Sequence, residues 1–343
     1  MPSFYIMALG LVPDGEAGGA ESCHLIPRAW GVAIFDWALL ASQHKMHVPY
    51  QLADSYAHSC NLEFRVEADT ADAAVQSFRS ITVALLASGV APFGVPMVST
   101  HSINDFSNIS GAARDENDPR HERAKRIASK EEVVEIWPAA TSSGGRAALG
   151  ATRRVSAELL AEATSEAELW RDLVKHQPVL HVLEDTILSV PQTTNIGQGI
   201  LQMWTGLESL FPKVQSEVSF RLALYLAQLQ GAAKSRLTYF NEAKKAYNVR
   251  SKIAHGGSLR DDTEQNREKW SSSWALLIDA YRAILARRGL PNEEELIAEL
   301  LRNADEAGGD ANPRSQSGLP SRLPPTRPSG ERAAARPATS SGP

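Results

Sequence analysis

The chain has 343 residues, of which 35 are lysine or arginine and 40 are aspartate or glutamate, and these leave a net charge of −5. A broadly basic nucleic-acid-binding surface is therefore excluded, and an RNA site would have to be a local cluster of lysine and arginine side chains. The length predicts two folded domains. The two cysteines are too few for a disulfide framework and are typical of a protein of the reducing cytoplasm.

Residues 1–150 predict a mixed α/β domain. An apolar run at 3–12 ends in a Pro-Asp-Gly turn, and residues 61–67 alternate apolar with charged side chains, as a half-buried strand does. The pair Asp69-Thr70 predicts the N-terminal cap of a helix that reaches about Ala87. Further candidate elements are a helix at 29–41 and strands at 95–104 and 132–137.

The segment 81–98, ITVALLASGVAPFGVPMV, is strongly apolar and has to be weighed as a membrane span. A spanning helix needs about 20 continuous apolar residues, whereas two prolines and two glycines interrupt this segment. We interpret it as the end of a buried helix, a turn and the start of a strand. The N-terminus has no charged stretch followed by a long apolar core, so we expect neither a signal peptide nor a membrane partner.

The rest of the chain divides into a linker, a helical region and a tail. Residues 105–150 show only a weak pattern of secondary structure. The segment 141–146, TSSGGR, is typical of a flexible connector near a domain boundary. Helical spacing then continues almost to 303, with prolines and glycines that divide it into five or six helices of a bundle. The predicted fold is therefore α+β, with an α/β domain at 1–150 and an all-α domain at 151–303. Residues 304–343 are rich in proline, arginine and serine, and we expect them to be disordered.

The segment 247–257, YNVRSKIAHGG, contains the residues that carry the most chemistry. Arg250 is a permanent, forked cation that suits a phosphate group. His255 can donate or accept a proton near neutral pH. This pair could cut a phosphodiester without a metal, but an Arg-x4-His spacing is a weak motif by itself.

The neighbouring residues make the motif more specific. Trp204 begins a Trp-x-x-Leu-Glu element that ends at Glu208, an apolar helical run follows at 217–227, and Tyr247 lies three residues before Arg250. This order resembles the HEPN superfamily (higher eukaryotes and prokaryotes nucleotide-binding), and most closely its Apea-like branch, over residues 170–303. The resemblance implies an all-helical domain, usually a homodimer, whose active members are metal-independent ribonucleases of antiviral defence and toxin systems.

The same resemblance implies a site and its partners. Arg250 and His255 would be catalytic, the partner would be RNA, with tRNA a plausible substrate, and no metal or cofactor would be needed. Positions five apart lie about 140° around a helix, so Arg250 and His255 converge only if the helix bends or if a second protomer completes the groove. Two protomers would also supply the two histidines that an acid and a base require. The supporting residues would be Ser251, Lys252, Tyr247 and Glu208, with Lys244 and Lys245 adding positive charge.

Plainer roles remain open for each of these residues. Arg250 could be a surface cation, and His255 could be a helix C-cap followed by a glycine stop. Glu208 could orient Arg250 or form a structural ion pair, and Tyr247 could stack on a base or pack in the core. The whole helical domain could be a non-catalytic dimerisation or nucleotide-binding module. An unidentified ligand or trigger is expected at the N-terminal domain, which could itself hold the main activity.

Other kinds of site have less support. Cys23-His24 and His58-x-Cys60 offer four zinc ligands in number, but their spacing matches no standard zinc knuckle. The chain has neither a Gly-x4-Gly-Lys-Ser/Thr phosphate loop nor a Gly-x-Ser-x-Gly elbow.

Overall fold

A seven-stranded sheet organises the first half of the protein. The computed structural model describes residues 1–29, 31–139, 145–214, 216–231, 235–257, 259 and 263–309, with side chains to 302. The strand order is β3-β4-β6-β1-β7-β8-β5, and all neighbours are antiparallel except the edge pair β8 and β5. A separate pair joins β2 to β9 in parallel. The strands are β1 Ser3–Leu9, β2 Val12–Pro13, β3 Gly18–Ala20, β4 Cys23–Pro27, β5 Lys45–Met46, β6 Cys60–Glu67, β7 Met97–Ser99, β8 Glu135–Pro138 and β9 Arg154–Val155.

Helices cover both faces of this sheet. On one face, Ile6 of β1 and Phe64 of β6 share a core with Phe78 and with Leu160. Side chains of the opposite face pack against Trp37 and other residues of the short helices. The domain is thus three-layered, and this explains why β1 and β6 are buried along most of their length. The helices of this region are α1 Ile34–Gln43, α2 Tyr50–His58, α3 Ala71–Ala87, α4 Ile109–Ala112 and α5 His121–Ala128, with a 3-10 turn at Ile103–Phe106.

Helix α3 is the element that the sequence predicts best. The Thr70 hydroxyl accepts a hydrogen bond from the Ala73 N–H at 3.1 Å and caps the helix. After Ala87 the chain turns at Gly89, whose φ of +87° is in the left-handed region, and it then reaches β7. The prediction of a buried helix end, a turn and a strand at 81–98 is therefore confirmed. None of the described helices is long and apolar enough to cross a membrane.

Other predicted elements of the first half are confirmed with changed limits. The strand at 61–67 begins one residue earlier, and the helix at 29–41 is shifted to Ile34–Gln43. The strand expected at 95–104 is only Met97–Ser99, because the chain turns into the 3-10 segment after it. Strands β3 and β4 and helix α2, as well as the two helices α4 and α5 in the weak region, have no counterpart in the prediction.

The second half is helical, as predicted, but it has seven α-helices among the described residues rather than five or six. Its core contains the fully buried side chains of Trp170, Trp204 and Tyr281. The mixed helix and sheet content confirms the α+β class, while the likeness to a HEPN bundle stays a prediction. The helices are α6 Ala157–His176, α7 Leu180–Ser189, α8 Ile196–Ser209, α9 Val218–Leu229, α10 Arg236–Ala254, α11 Glu264–Arg287 and α12 Glu293–Gly309, with a 3-10 turn at Val190–Gln192.

The two halves share their cores across residue 150. Leu160 of α6 belongs to the core of the sheet, and Val83 of α3 belongs to the core of the helical half. Residues from Met1 to Leu300 form one compact unit, and a second unit begins at Leu301. The predicted limits at 150 and 303 stay predictions. Helix α12 continues to Gly309, so residues 304–309 of the predicted tail are helical, and residues 310–343 lie outside the described residues.

The connector and the cysteines also have defined surroundings. Residues 141–144 lie outside the described residues, but Arg146 is anchored by its N–H, which donates to the Pro191 carbonyl at 2.6 Å. Cys23 and Cys60 are buried free thiols on β4 and β6. Burial raises the pKa of each thiol to about 12. No group of three or more His, Cys, Asp or Glu side chains in the described part of the chain is arranged to hold a metal ion.

Candidate functional site

Helix α10 carries most of the predicted site and is locally basic. It contains five basic residues and one acidic residue, in a chain whose net charge is −5. The ammonium groups of Lys244, Lys245 and Lys252 belong to exposed residues. These three cations lie on one helix, and their binding of RNA stays a prediction.

The C-terminal end of α10 is fixed by a glycine pair. The Gly257 N–H donates to the Lys252 carbonyl at 2.8 Å, and the Gly256 N–H donates to the Ile253 carbonyl at 3.1 Å. These two bonds form a Schellman motif, in which Gly256 takes the left-handed conformation with φ +93°. His255 is the C-cap, with an exposed side chain and an N–H that donates to the Ser251 carbonyl at 3.1 Å. The histidine thus takes the C-cap position, and Gly256 stops the helix.

Arg250 forms an ion pair with Glu208 at the end of α8. Its Nη2 atom lies 2.9 and 3.0 Å from the two carboxylate oxygens of Glu208. The side chains are 26% and 27% exposed, respectively. The Arg250 guanidinium carbon also lies 5.4 Å from the centre of the Tyr247 ring. Burial and the adjacent Glu208 carboxylate, which accepts a hydrogen bond from the hydroxyl, raise the pKa of Tyr247.

Tyr247 connects this ion pair to the core. The fully buried ring of Trp204 meets the Tyr247 ring edge-on, with centroids 5.1 Å apart and an interplanar angle of 87°. Trp204 and Glu208 are four residues apart on α8, and Tyr247 and Arg250 are three apart on α10, so each pair shares one helix face. Trp204, Glu208, Tyr247 and Arg250 therefore meet in one contact, which we call the α8–α10 contact.

The predicted catalytic pair is not assembled within the described residues of one chain. Arg250 points to Glu208 and Tyr247, while His255 lies one turn further on with its side chain in solvent. Helix α10 is unbroken to Ala254 and ends at the C-cap His255, so no loop lies between the two residues. Ser251 is half-buried and Lys252 is exposed beside the histidine. Convergence of Arg250 and His255 across a second protomer stays a prediction.

The comparison of the chain with models of protein families, with curated proteins and with solved structures finds no match.

A second cluster of ionisable groups, absent from the sequence prediction, lies beneath the sheet. Glu63 of β6 is fully enclosed, and burial raises its pKa to about 7. The Ile103 N–H donates to its carboxylate at 2.9 Å, and so does the Ser102 hydroxyl. Nearby, Asp105 pairs with Arg123 at 3.2 Å, and burial raises the Asp105 pKa.

The alternation of apolar and charged residues at 61–67 does not predict this second cluster. It suggests a strand with a solvated face, which would expose Glu63, but the 3-10 turn at Ile103–Phe106 covers that face. Only the polar run Ser102, Asn104 and Asp105 after β7 could have suggested partners for a buried carboxylate.

Proposed function

We propose that this protein is a metal-independent RNA endonuclease of a defence or toxin type, that it acts as a homodimer in the cytoplasm, and that its helical half is a HEPN domain. The observation that supports this most is the α8–α10 contact. It brings Trp204, Glu208, Tyr247 and Arg250 together, in the order and spacing of the Apea-like pattern. The exposed cations of α10 would hold the RNA backbone.

The proposed reaction uses the 2′-hydroxyl of the RNA as nucleophile. His255 of one protomer removes the hydroxyl proton while the 2′-oxygen bonds to phosphorus, and the bond from phosphorus to the 5′-oxygen breaks. His255 of the other protomer, in its protonated form, gives a proton to the leaving 5′-oxygen. The products are a 2′,3′-cyclic phosphate and a 5′-hydroxyl. Arg250 offsets the negative charge that develops on the phosphate oxygens.

Glu208 would act as a positioning residue in this scheme. It contacts the guanidinium through Nη2, and a guanidinium has five N–H donors. The Arg250 side chain is also 26% exposed. A phosphate could therefore bind Arg250 while Glu208 keeps its hold.

RNA cleavage in the presence of EDTA tests the proposal. The wild-type protein is compared with His255→Ala, Arg250→Ala and the control Asn248→Ala, which alters an exposed residue of the same helix. Loss of the acid–base group in His255→Ala should lower the rate by about 10²- to 10⁴-fold, and loss of the charge stabilisation in Arg250→Ala by about 10²- to 10³-fold, while the control stays active. Products that end in a 2′,3′-cyclic phosphate would support the scheme. Equal cleavage by all four proteins would refute it.

One observation favours a second candidate function, a non-catalytic dimerisation or nucleotide-binding module. The Arg250–Glu208 pair is half-buried and already neutralises the arginine, as a structural ion pair would. Overexpression separates the two functions, because a ribonuclease should slow growth and His255→Ala should relieve this. A binding module would give the same growth with both proteins.

A further inference from the structure

A cleft far from α10 lies where the two halves of the chain meet. Its walls come from α3, from the segment between α3 and β7, from the end of α7 and from the 3-10 turn after it. The cavity has a volume of about 420 Å³. Pockets for small molecules measure about 300 to 1,000 Å³ and often lie between domains, so this cleft is large enough for one small organic ligand.

The inner walls of the cleft are apolar. Phe78 and Phe93 contribute two rings whose centroids are 6.2 Å apart and inclined at 66°. Leu86 and Leu188 line the remaining sides. Buried apolar walls of this kind favour a hydrocarbon chain or ring over a polar group, which would lose its hydrogen bonds to water.

Three of the polar side chains along the walls already donate to backbone carbonyls of α3 or α7. The Thr82 hydroxyl donates to the Phe78 carbonyl at 2.9 Å, and the Ser189 hydroxyl donates to the Asp185 carbonyl at 2.6 Å. The side-chain amide of Gln192 donates to the Leu188 carbonyl at 3.2 Å. A ligand with many hydrogen-bonding groups would therefore find few partners in this cleft.

Two carboxylates pair with one arginine at the rim, and of these two only Asp185 lines the cleft. Arg79 is the only cation that lines the cleft among the described residues, and it pairs with both Glu184, at 3.2 Å, and Asp185. Glu184 is buried and also accepts a hydrogen bond from the Trp170 Nε1 at 3.0 Å. The side chain of Asp185 is 65% exposed. Two carboxylates thus share one guanidinium, and the more exposed one, Asp185, lines the cleft.

We propose that this cleft binds a small organic cation, namely an amine whose apolar body lies between Phe78, Phe93 and Leu188 and whose ammonium group pairs with Asp185. The apolar walls give affinity, and the excess carboxylate selects the sign of the charge. This site shares no residue with the α8–α10 contact, so it stands independently of the proposed ribonuclease activity.

Three probes with the same apolar body test the charge selection on the full chain. They are 4-phenylbutylamine, 4-phenylbutanol and 5-phenylpentanoate, and binding is measured by ligand-observed NMR titration. The amine should bind about fivefold more tightly than the alcohol, and about tenfold more tightly than the carboxylate, because an exposed ion pair contributes a factor of this size. Equal or tighter binding of the carboxylate would overturn the proposal, and so would the absence of amine binding.

Two variants locate the binding. Asp185→Asn should reduce the affinity for the amine to that for the alcohol and leave alcohol binding unchanged. Asp172→Asn is the matched control, since the Asp172 side chain is also 65% exposed but lies on α6 outside the cleft. Leu188→Trp should fill the cleft and abolish binding of all three probes, with circular dichroism and the unfolding midpoint measured in parallel. Amine binding that survives Leu188→Trp in a folded protein would place the site elsewhere and overturn the proposal.

Discussion

The α8–α10 contact and the cluster around Glu63 each place a carboxylate next to hydrogen-bond donors, but they are built differently. Glu208 meets a formal cation, and its side chain is 27% exposed. Glu63 is fully enclosed, and its hydrogen-bond donors are the neutral Ser102 hydroxyl and the Ile103 N–H. Burial makes the charged form of Glu63 costly and raises its pKa to about 7, because the two hydrogen bonds and the nearby Arg123 charge offset that cost only in part. The comparison teaches that enclosure, which penalises the charged form, outweighs two hydrogen bonds in setting the pKa of Glu63.

The largest effect on stability should come from the buried tryptophan of the α8–α10 contact. Trp204→Ala removes a fully buried ring, and such a truncation costs about 3 to 5 kcal/mol of the free energy of unfolding. Urea unfolding measures the loss. Phe35→Ala is the control, since Phe35 is 83% exposed and its truncation should change stability by less than about 0.5 kcal/mol. Equal losses in the two variants would contradict the packing of Trp204.

The second effect tests whether Glu63 titrates as its surroundings require. Its folded-state pKa of about 7 exceeds the ordinary value of 4.5, so the folded protein holds more protons than the unfolded chain between these two pH values. The contribution of Glu63 to stability should be complete below pH 4.5 and should be lost as the pH rises through 7. The loss should amount to about 3 kcal/mol.

Unfolding of wild type and of Glu63→Gln across this pH range isolates the effect, because the other ionisable groups are common to both proteins. The difference in stability between the two should change steadily from acid to neutral pH. The stability of Glu16→Gln, a control at an exposed residue, should change with pH in the same way as that of the wild type. A pH-independent difference between wild type and Glu63→Gln would show that Glu63 keeps an ordinary pKa.

A smaller loss of stability is expected from a substitution at the glycine that ends α10. Gly256 has a φ of +93° and open space where a Cβ would lie, so the cost of Gly256→Ala is conformational only. It should reduce the free energy of unfolding by about 1 to 2 kcal/mol. Ala254→Gly, which alters an exposed helical residue two positions earlier, should cost about 1 kcal/mol for a different reason, the helix propensity of alanine. A neutral Gly256→Ala would argue against the Schellman end.

The smallest predicted effect is the coupling energy between Glu208 and Arg250. A double-mutant cycle of Glu208→Gln and Arg250→Gln should give a coupling energy of about 0.2 to 1 kcal/mol, because both side chains are partly exposed to solvent. The coupling should decrease when the salt concentration rises. A much larger coupling would mean that the pair is more deeply buried than its exposure indicates.

Local patterns allowed part of this molecule to be predicted from its sequence. The cap at Thr70, the strand around Phe64 and the glycine stop after His255 depend on neighbours within a few positions, and the structure contains all three. The sequence allows two roles for Glu208, orienting Arg250 or forming a structural ion pair. It does not predict the contact itself, because spacing places each residue on a helix face but does not orient the two helices. The burial of Glu63 depends on Ser102 and Ile103, about 40 positions away. No periodicity within one strand encodes such a contact.

The two cysteines can serve as probes of how the sheet opens. Cys23 and Cys60 lie on different strands, with no solvent exposure, and their thiols keep their protons because burial raises the pKa of each to about 12. The thiolate is the form of cysteine that attacks an alkylating reagent, so neither sulfur should react until its strand separates from the layers that cover it. Mass spectrometry after timed alkylation would then count opening events. Labelling of Cys23 before Cys60 would show that β4 detaches while β6 holds, whereas simultaneous labelling would show that the sheet opens as a unit.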